Sequence, residues 1–191
     1  MTFVQDRSRS TSPMNSTSHS PSSSFTAPHS GSRATANRSA AVSAGEFLTF
    51  RLGGEEYGVD ILKVQEIRSY EAPTRIANSP DFLKGVVNLR GVIVPIIDLR
   101  LKLGCERAEL NAMTVVIVLN MRDRIVGAVV DSVSDVIQLD AAVVQPAPPM
   151  NALVDTRFIR GIANVGERML ILVDIEAILT GEDVAALDAT F

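Results

Sequence analysis

The chain has 191 residues, 46% of them hydrophobic and 21% charged, with no tryptophan, one cysteine and two histidines. That length suits one or two ordinary domains, and the longest apolar runs, such as 92–97 and 169–173, fall far short of the roughly 18 residues that a membrane-spanning helix needs. A single cysteine, Cys105, excludes an intramolecular disulfide and points to a reducing cytosol.

Residues 1–44 hold 13 serines, five threonines and the prolines Pro13, Pro21 and Pro28, with almost no periodic apolar positions. Such a segment cannot bury enough surface to offset its ordering entropy, so a disordered tail, dispensable for the fold, is predicted there. Its prolines argue against an amphipathic transit helix. Both histidines, His19 and His29, lie in this tail. Residues 45–191 therefore lack the usual general base, the usual zinc ligand and every His-dependent nucleophilic triad. The tail carries four arginines against Asp6, which leaves a net charge of −7 on 45–191. That balance argues against a nucleic-acid or anionic-membrane surface, because phosphate binding needs a positive face. No Gly-rich phosphate loop or clustered metal-ligand spacing occurs, so neither cofactor nor metal is expected.

Along 45–191, short runs of Val, Ile and Leu are bounded by Gly, Asn and Pro, which is strand chemistry. Residues 47–52, the Gly53-Gly54 turn and 56–60 read as a hairpin. Pro95 interrupts the 92–97 run and places that point at an edge or bulge. Residues 98–104 begin with Asp98, a residue type that caps helices, and end at Gly104, which predicts a short helix. Residues 113–120 and 124–130 read as a second hairpin, Pro146-Ala-Pro-Pro149 as a loop, and 174–181 as a second short helix opened by Asp174.

The two halves are related. Residues 82–99 align without a gap to 158–175 at an offset of 76, with Phe82/Phe158, Gly85/Gly161, Asn88/Asn164 and Asp98/Asp174 identical. Residues 57–67 align to 126–136 at an offset of 69, pairing Val64 with Val133 and Glu66 with Asp135. Four or five short strands per half curl most naturally into a small barrel. The expected architecture is all-β: a first barrel over about 45–108, a second over about 109–181, and a C-terminal helical segment over about 174–190 packing back on the first barrel. Small barrels have thin cores and gain from packing together, with a groove between them as the default binding site. On the residues alone, an adaptor, a small-ligand module using that groove, and an enzyme working with carboxylates alone stay open. The missing histidine and phosphate loop weigh against the last.

The run Gly85-Val-Val-Asn-Leu-Arg-Gly-Val-Ile-Val-Pro-Ile-Ile-Asp-Leu-Arg100, preceded by Glu55-Glu-Tyr-Gly-Val-Asp-Ile-Leu-Lys-Val-Gln-Glu-Ile67, resembles the CheW family of bacterial chemotaxis coupling proteins. Residues 74–80 and 168–175 extend the likeness, which covers essentially all of 45–191 but not the Ser-rich extension. The resemblance implies two five-stranded SH3-like barrels. It also implies a non-enzymatic, cytoplasmic scaffold, recruited to membrane receptor arrays, that joins the histidine kinase CheA, through its CheW-like regulatory domain, to the cytoplasmic tips of methyl-accepting chemoreceptors.

Arg90 is the most telling candidate, since the repeat supplies an internal control: its counterpart is Gly166. A solvated turn arginine is the plain reading, and the family motif associates this arginine with receptor coupling. Glu66, in a region the family uses for receptor contact, is its expected partner, holding the guanidinium in a bidentate pair; the plain alternative is an exposed, unpartnered glutamate. Val64, Val86, Val87 and Leu89 read either as core or as an apolar surface for a partner, with Val87 the most core-like. Gly85 reads as strand punctuation or as a point of close backbone approach. Asp98 and Asp174 read as helix caps, not as a catalytic carboxylate pair. Cys105, beside Glu106 and far from any histidine, is not expected to be an activated thiolate.

Overall fold

The computed structural model describes residues 44–105, 108–121, 124–148 and 156–179, together with Asp183. The tail expected over 1–44 lies outside them up to residue 43, as does most of the helical segment expected over 174–190.

Eleven strands form two sheets among the described residues. The strands are β1 (Gly45–Leu52), β2 (Glu55–Asp60), β3 (Val64–Ser69), β4 (Leu83–Leu89), β5 (Val92–Asp98), β6 (Val115–Met121), β7 (Arg124–Val130), β8 (Ser132–Leu139), β9 (Val144–Gln145), β10 (Ile159–Val165) and β11 (Arg168–Val173). One sheet runs β8-β1-β2-β11-β10-β9 and the other β3-β6-β7-β5-β4. The predicted hairpins are present, with Phe47 opposite Asp60 and Val115 opposite Val130. Two four-residue helices, α1 (Leu99–Lys102) and α2 (Ile175–Ile178), follow β5 and β11; Asp98 accepts from the Arg100 N–H and Asp174 from the Glu176 N–H, the capping role expected of both.

The duplication extends to hydrogen-bond detail. Register bulges fall at Leu83/Gly85 and at Ile159/Gly161. The Asp98 N–H donates to the Phe82 carbonyl at 2.8 Å, and the Asp174 N–H to the Phe158 carbonyl at 2.7 Å. The repeat boundary near 108/109 is not, however, a boundary between sheets. Each sheet takes its leading hairpin from the other half: β1-β2 lies with β8 to β11, and β6-β7 with β3 to β5. The halves are joined within each sheet by a parallel pair, β2 with β11 and β5 with β7. The connections at the crossing points are short: residues 61–63 between β2 and β3, and Asp131 alone between β7 and β8.

Most central strands are buried on both faces, so their apolar residues run almost without polar interruption. Val116 and Val118 of β6 pack with Val94, Ile96 and Val129 inside the five-stranded sheet, while Ile117 and Leu119 point the other way into a core of 17 buried residues shared by both sheets. Phe47, Leu139, Ala163, Leu170 and Leu172 make the corresponding small core of the six-stranded sheet. The space between the sheets, where the sequence placed a binding groove, is thus filled by the largest apolar core. Pro95 pairs with Val86 on β4, while pairing with β7 begins only at Ile96. Its missing N–H falls where that side of β5 is locally an edge, and the β4 bulge lies one step further along.

One polar network crosses the apolar interior. Arg100 is fully buried. Its Nε and Nη2 donate to the two carboxylate oxygens of Asp98, both at 2.9 Å, and its Nη1 donates to the Glu109 carbonyl at 2.7 Å and to Asp131 at 3.0 Å. The other Asp131 oxygen accepts from the Gly53 N–H at 2.6 Å. The Asp98 hydrogen bond raises the guanidinium pKa against the opposing effect of burial. Replacing Arg100 with methionine keeps the volume but strands two carboxylates. It is expected to cost about 3–5 kcal/mol, read as a large drop in the urea midpoint.

Candidate interaction site

The β4–β5 hairpin turns through Arg90 and Gly91 at φ +54° and +91°. Positive φ at both central residues is the type I′ turn that matches strand twist, and the Asn88 side chain secures it by accepting from the Gly91 N–H at 2.7 Å. The equivalent turn of the second half places Gly166 at φ +62°. A left-handed conformation costs a residue with a Cβ about 1–2 kcal/mol. Glycine, present in one copy, avoids that cost; arginine, in the other, does not.

Strands β3 and β4 are the two edges of the five-stranded sheet, yet Glu66 of β3 meets Arg90 at the end of β4, Oε2 to Nη2 at 3.2 Å. The sheet therefore curls until its edges nearly close, as a small barrel does. The contact is single rather than bidentate. The Arg90 side chain is 81% exposed, that of Glu66 26%, and Glu66 also lies 3.7 Å from Arg68 Nη1. A pair so exposed contributes about 0–1 kcal/mol, so the guanidinium is positioned but not locked.

Between the near-closed edges lies an open groove of about 210 Å³, lined among others by Arg68, Thr74, Val86, Val87 and Leu89. Val86 is half-buried and exchanges both backbone hydrogen bonds with Thr74, at 2.8 and 2.9 Å. Val87 and Leu89 are half-buried against the sheet's inner core. Val64 stands apart from the groove and packs against the shared core. Gly85 is buried at φ +135°, where a Cβ would lie 2.1 Å from the Thr74 carbonyl oxygen, so the bridge to residue 74 demands glycine. The sequence reading passed over Val92 and Ile93, which are half exposed beside the turn; their place in a continuous apolar run concealed this. It also passed over Asn88, whose role the Asn-x-x-Gly spacing carries. Cys105 is half-buried, and burial followed by the Asp131 charge pushes its thiol pKa up, away from thiolate.

A family model for the CheW-like domain matches residues 46–183. The chain belongs to the CheW family. It is 59% identical over 143 residues, covering 75% of this chain and 86% of the relative, to a chemotaxis protein CheW of Klebsiella aerogenes, and 38% identical over 135 residues, covering 71% and 87%, to a probable chemotaxis protein CheW of Rhizobium etli. The crystal structure of a scaffolding protein, a CheW of Thermoanaerobacter tengcongensis, superposes with a TM-score of 0.68 at 31% identity, covering 73% of this chain and 95% of that one. The all-β, two-barrel fold class is that of this CheW scaffold, and the protein is a scaffold of bacterial chemotaxis signalling. No described helix is long and apolar enough to cross a membrane.

Two substitutions separate backbone demand from side-chain use. Arg90→Gly relieves the left-handed strain and loses only an exposed pair, so its melting midpoint is expected at or above that of the parent. Gly85→Ala is expected to cost about 2–4 kcal/mol through strain and overlap, seen as a clearly lower midpoint in the same thermal scan.

Proposed function

We propose that this CheW protein couples a CheA-type histidine kinase to the cytoplasmic tips of chemoreceptors, with Arg90 acting in receptor coupling and Glu66 positioning it. The protein works by binding and carries out no reaction of its own. Its place is the cytoplasm, at receptor arrays reached through its partners. The observation that carries the assignment is the left-handed arginine: the fold accepts glycine at the matching turn, so the guanidinium at position 90 serves something other than the fold. Val86 and Leu89 supply apolar surface beside it, while Val64 and Gly85 act through the frame that holds the two edges. The kinase contact is mainly apolar and is expected to hold at moderate salt, which screens exposed charge pairs far more than apolar burial. A small-ligand module is the weaker reading: the space between the two sheets, where such a ligand would sit, is occupied by the shared apolar core.

The test is reconstitution with kinase and receptor membranes. Arg90→Ala is expected to fold, to bind the kinase with parental affinity, and to lose at least tenfold of receptor-coupled kinase activation, with Glu66→Ala showing a smaller loss. Full coupling by a normally folded Arg90→Ala would return the residue to a solvated turn.

A further inference from the structure

The exchange of hairpins between the halves needs a reason, because the repeat makes each hairpin a candidate for either sheet. Through the parallel pairs, α1 sits beside the exit of β7 and α2 beside the exit of β2. At these two junctions the charges are opposite in sense. Arg100 of the first half meets Asp131 at 3.0 Å; its repeat counterpart, Glu176, meets Lys63 at 2.5 Å. The Arg100 side chain is fully buried against an Asp131 side chain 26% exposed, while Glu176, 18% exposed, meets a Lys63 side chain 39% exposed, so solvent and salt screen the first pair much less than the second.

We infer that these charge-reversed pairs select the exchanged topology over one in which each hairpin returns to its own half. In the unexchanged arrangement α1 would lie beside the exit of β2 and α2 beside the exit of β7. Arg100 would then face the segment of Lys63, and Glu176 the segment of Asp131: like charges at both junctions, one of them buried. Lys63 and Asp131 are one residue apart in the repeat register, so the opposition is between segments rather than single positions. Asp60, also at the exit of β2, does not rescue Arg100. The register puts it in the place of Val129, which is fully buried in the inner core of the five-stranded sheet, and there its carboxylate would be desolvated. Specificity of this kind comes from penalising the alternative as much as from favouring the native pairing.

The experiment reverses the more accessible junction in the full chain. Lys63→Glu and Glu176→Lys are each expected to lower the denaturant midpoint, and the double reversal to restore it, because the native pair is re-formed with its signs exchanged. In the unexchanged arrangement the double reversal also offers Arg100 a carboxylate at position 63, and Asp131 an ammonium at position 176. Its refolding, followed by far-UV circular dichroism, is therefore expected to gain a slow phase carrying at least a third of the amplitude. That phase should be absent from the parent and from the double variant Lys63→Gln with Glu176→Gln, which removes the charges without reversing them. A double reversal whose midpoint stays at the level of the single variants, or which refolds with the kinetics of the neutral pair, overturns the inference.

Discussion

The buried guanidinium of Arg100 is the constraint on which the arrangement of the chain depends. It reaches the cap of α1, the single residue between β7 and β8, the carbonyl of Glu109 in the inter-half connection and, through Asp131, the β1–β2 turn. These segments come from both sheets and both halves of the repeat. An ion pair in an apolar interior is a weak source of net stability, because desolvation offsets most of its attraction. What it supplies is a geometric condition: only an arrangement that brings Asp98, Asp131 and the Glu109 carbonyl to one point leaves the charge satisfied. Apolar contacts in the surrounding core set no such condition, since Val, Ile and Leu tolerate many partners.

That core explains why the halves are interdependent. Each sheet has only five buried residues in its own interior cluster, against 17 in the shared one. Neither half carries a complete sheet, since β1-β2 completes the six-stranded sheet and β6-β7 the five-stranded one. Burial on both faces of β5, β6 and β7 is thus a property of the assembled chain. It leaves the partly closed edge between β3 and β4, with its groove and hairpin turn, as the place where apolar side chains and a charged group meet solvent together.

Much of this was legible in the residues. The 76-residue offset identified equivalent strands, Asp98 and Asp174 announced their helices, and the Gly53-Gly54 turn fixed the first hairpin. The pairing of hairpins with the opposite halves was not legible, because a repeat makes positions equivalent without saying which copy packs on which. Pattern also misplaced the groove: alternation within strands cannot distinguish a face that lines a barrel from one that joins two barrels when both are apolar. At the candidate site, the Glu66–Arg90 contact followed from the motif, but its single, exposed geometry did not, since it depends on how far the sheet curls. Gly85 looked like punctuation; its demand comes from Thr74, eleven residues away in sequence and in contact only once the bridge forms.

On the proposed reading of Arg90, the repeat itself links its backbone strain to receptor coupling. Two copies of one hairpin stand in one chain; the first turns through two left-handed residues, Arg90 and Gly91, the second through Gly166 alone, and only the first carries a large charged side chain in a conformation that favours glycine. Were the turn under stability alone, both copies would gain from glycine. The exposed contact with Glu66 returns about as much as the strain costs at best, so the pair does not account for the arginine within the folded monomer. Local backbone strain persists where the surrounding structure holds it, and it clusters at sites that bind or switch. Here the strained residue rises beside half-exposed Val92 and Ile93, so charge and apolar surface are presented together at one corner of the molecule. The β4–β5 hairpin fixes their spacing within the folded chain, and a preset spacing lowers the ordering cost of any binding there.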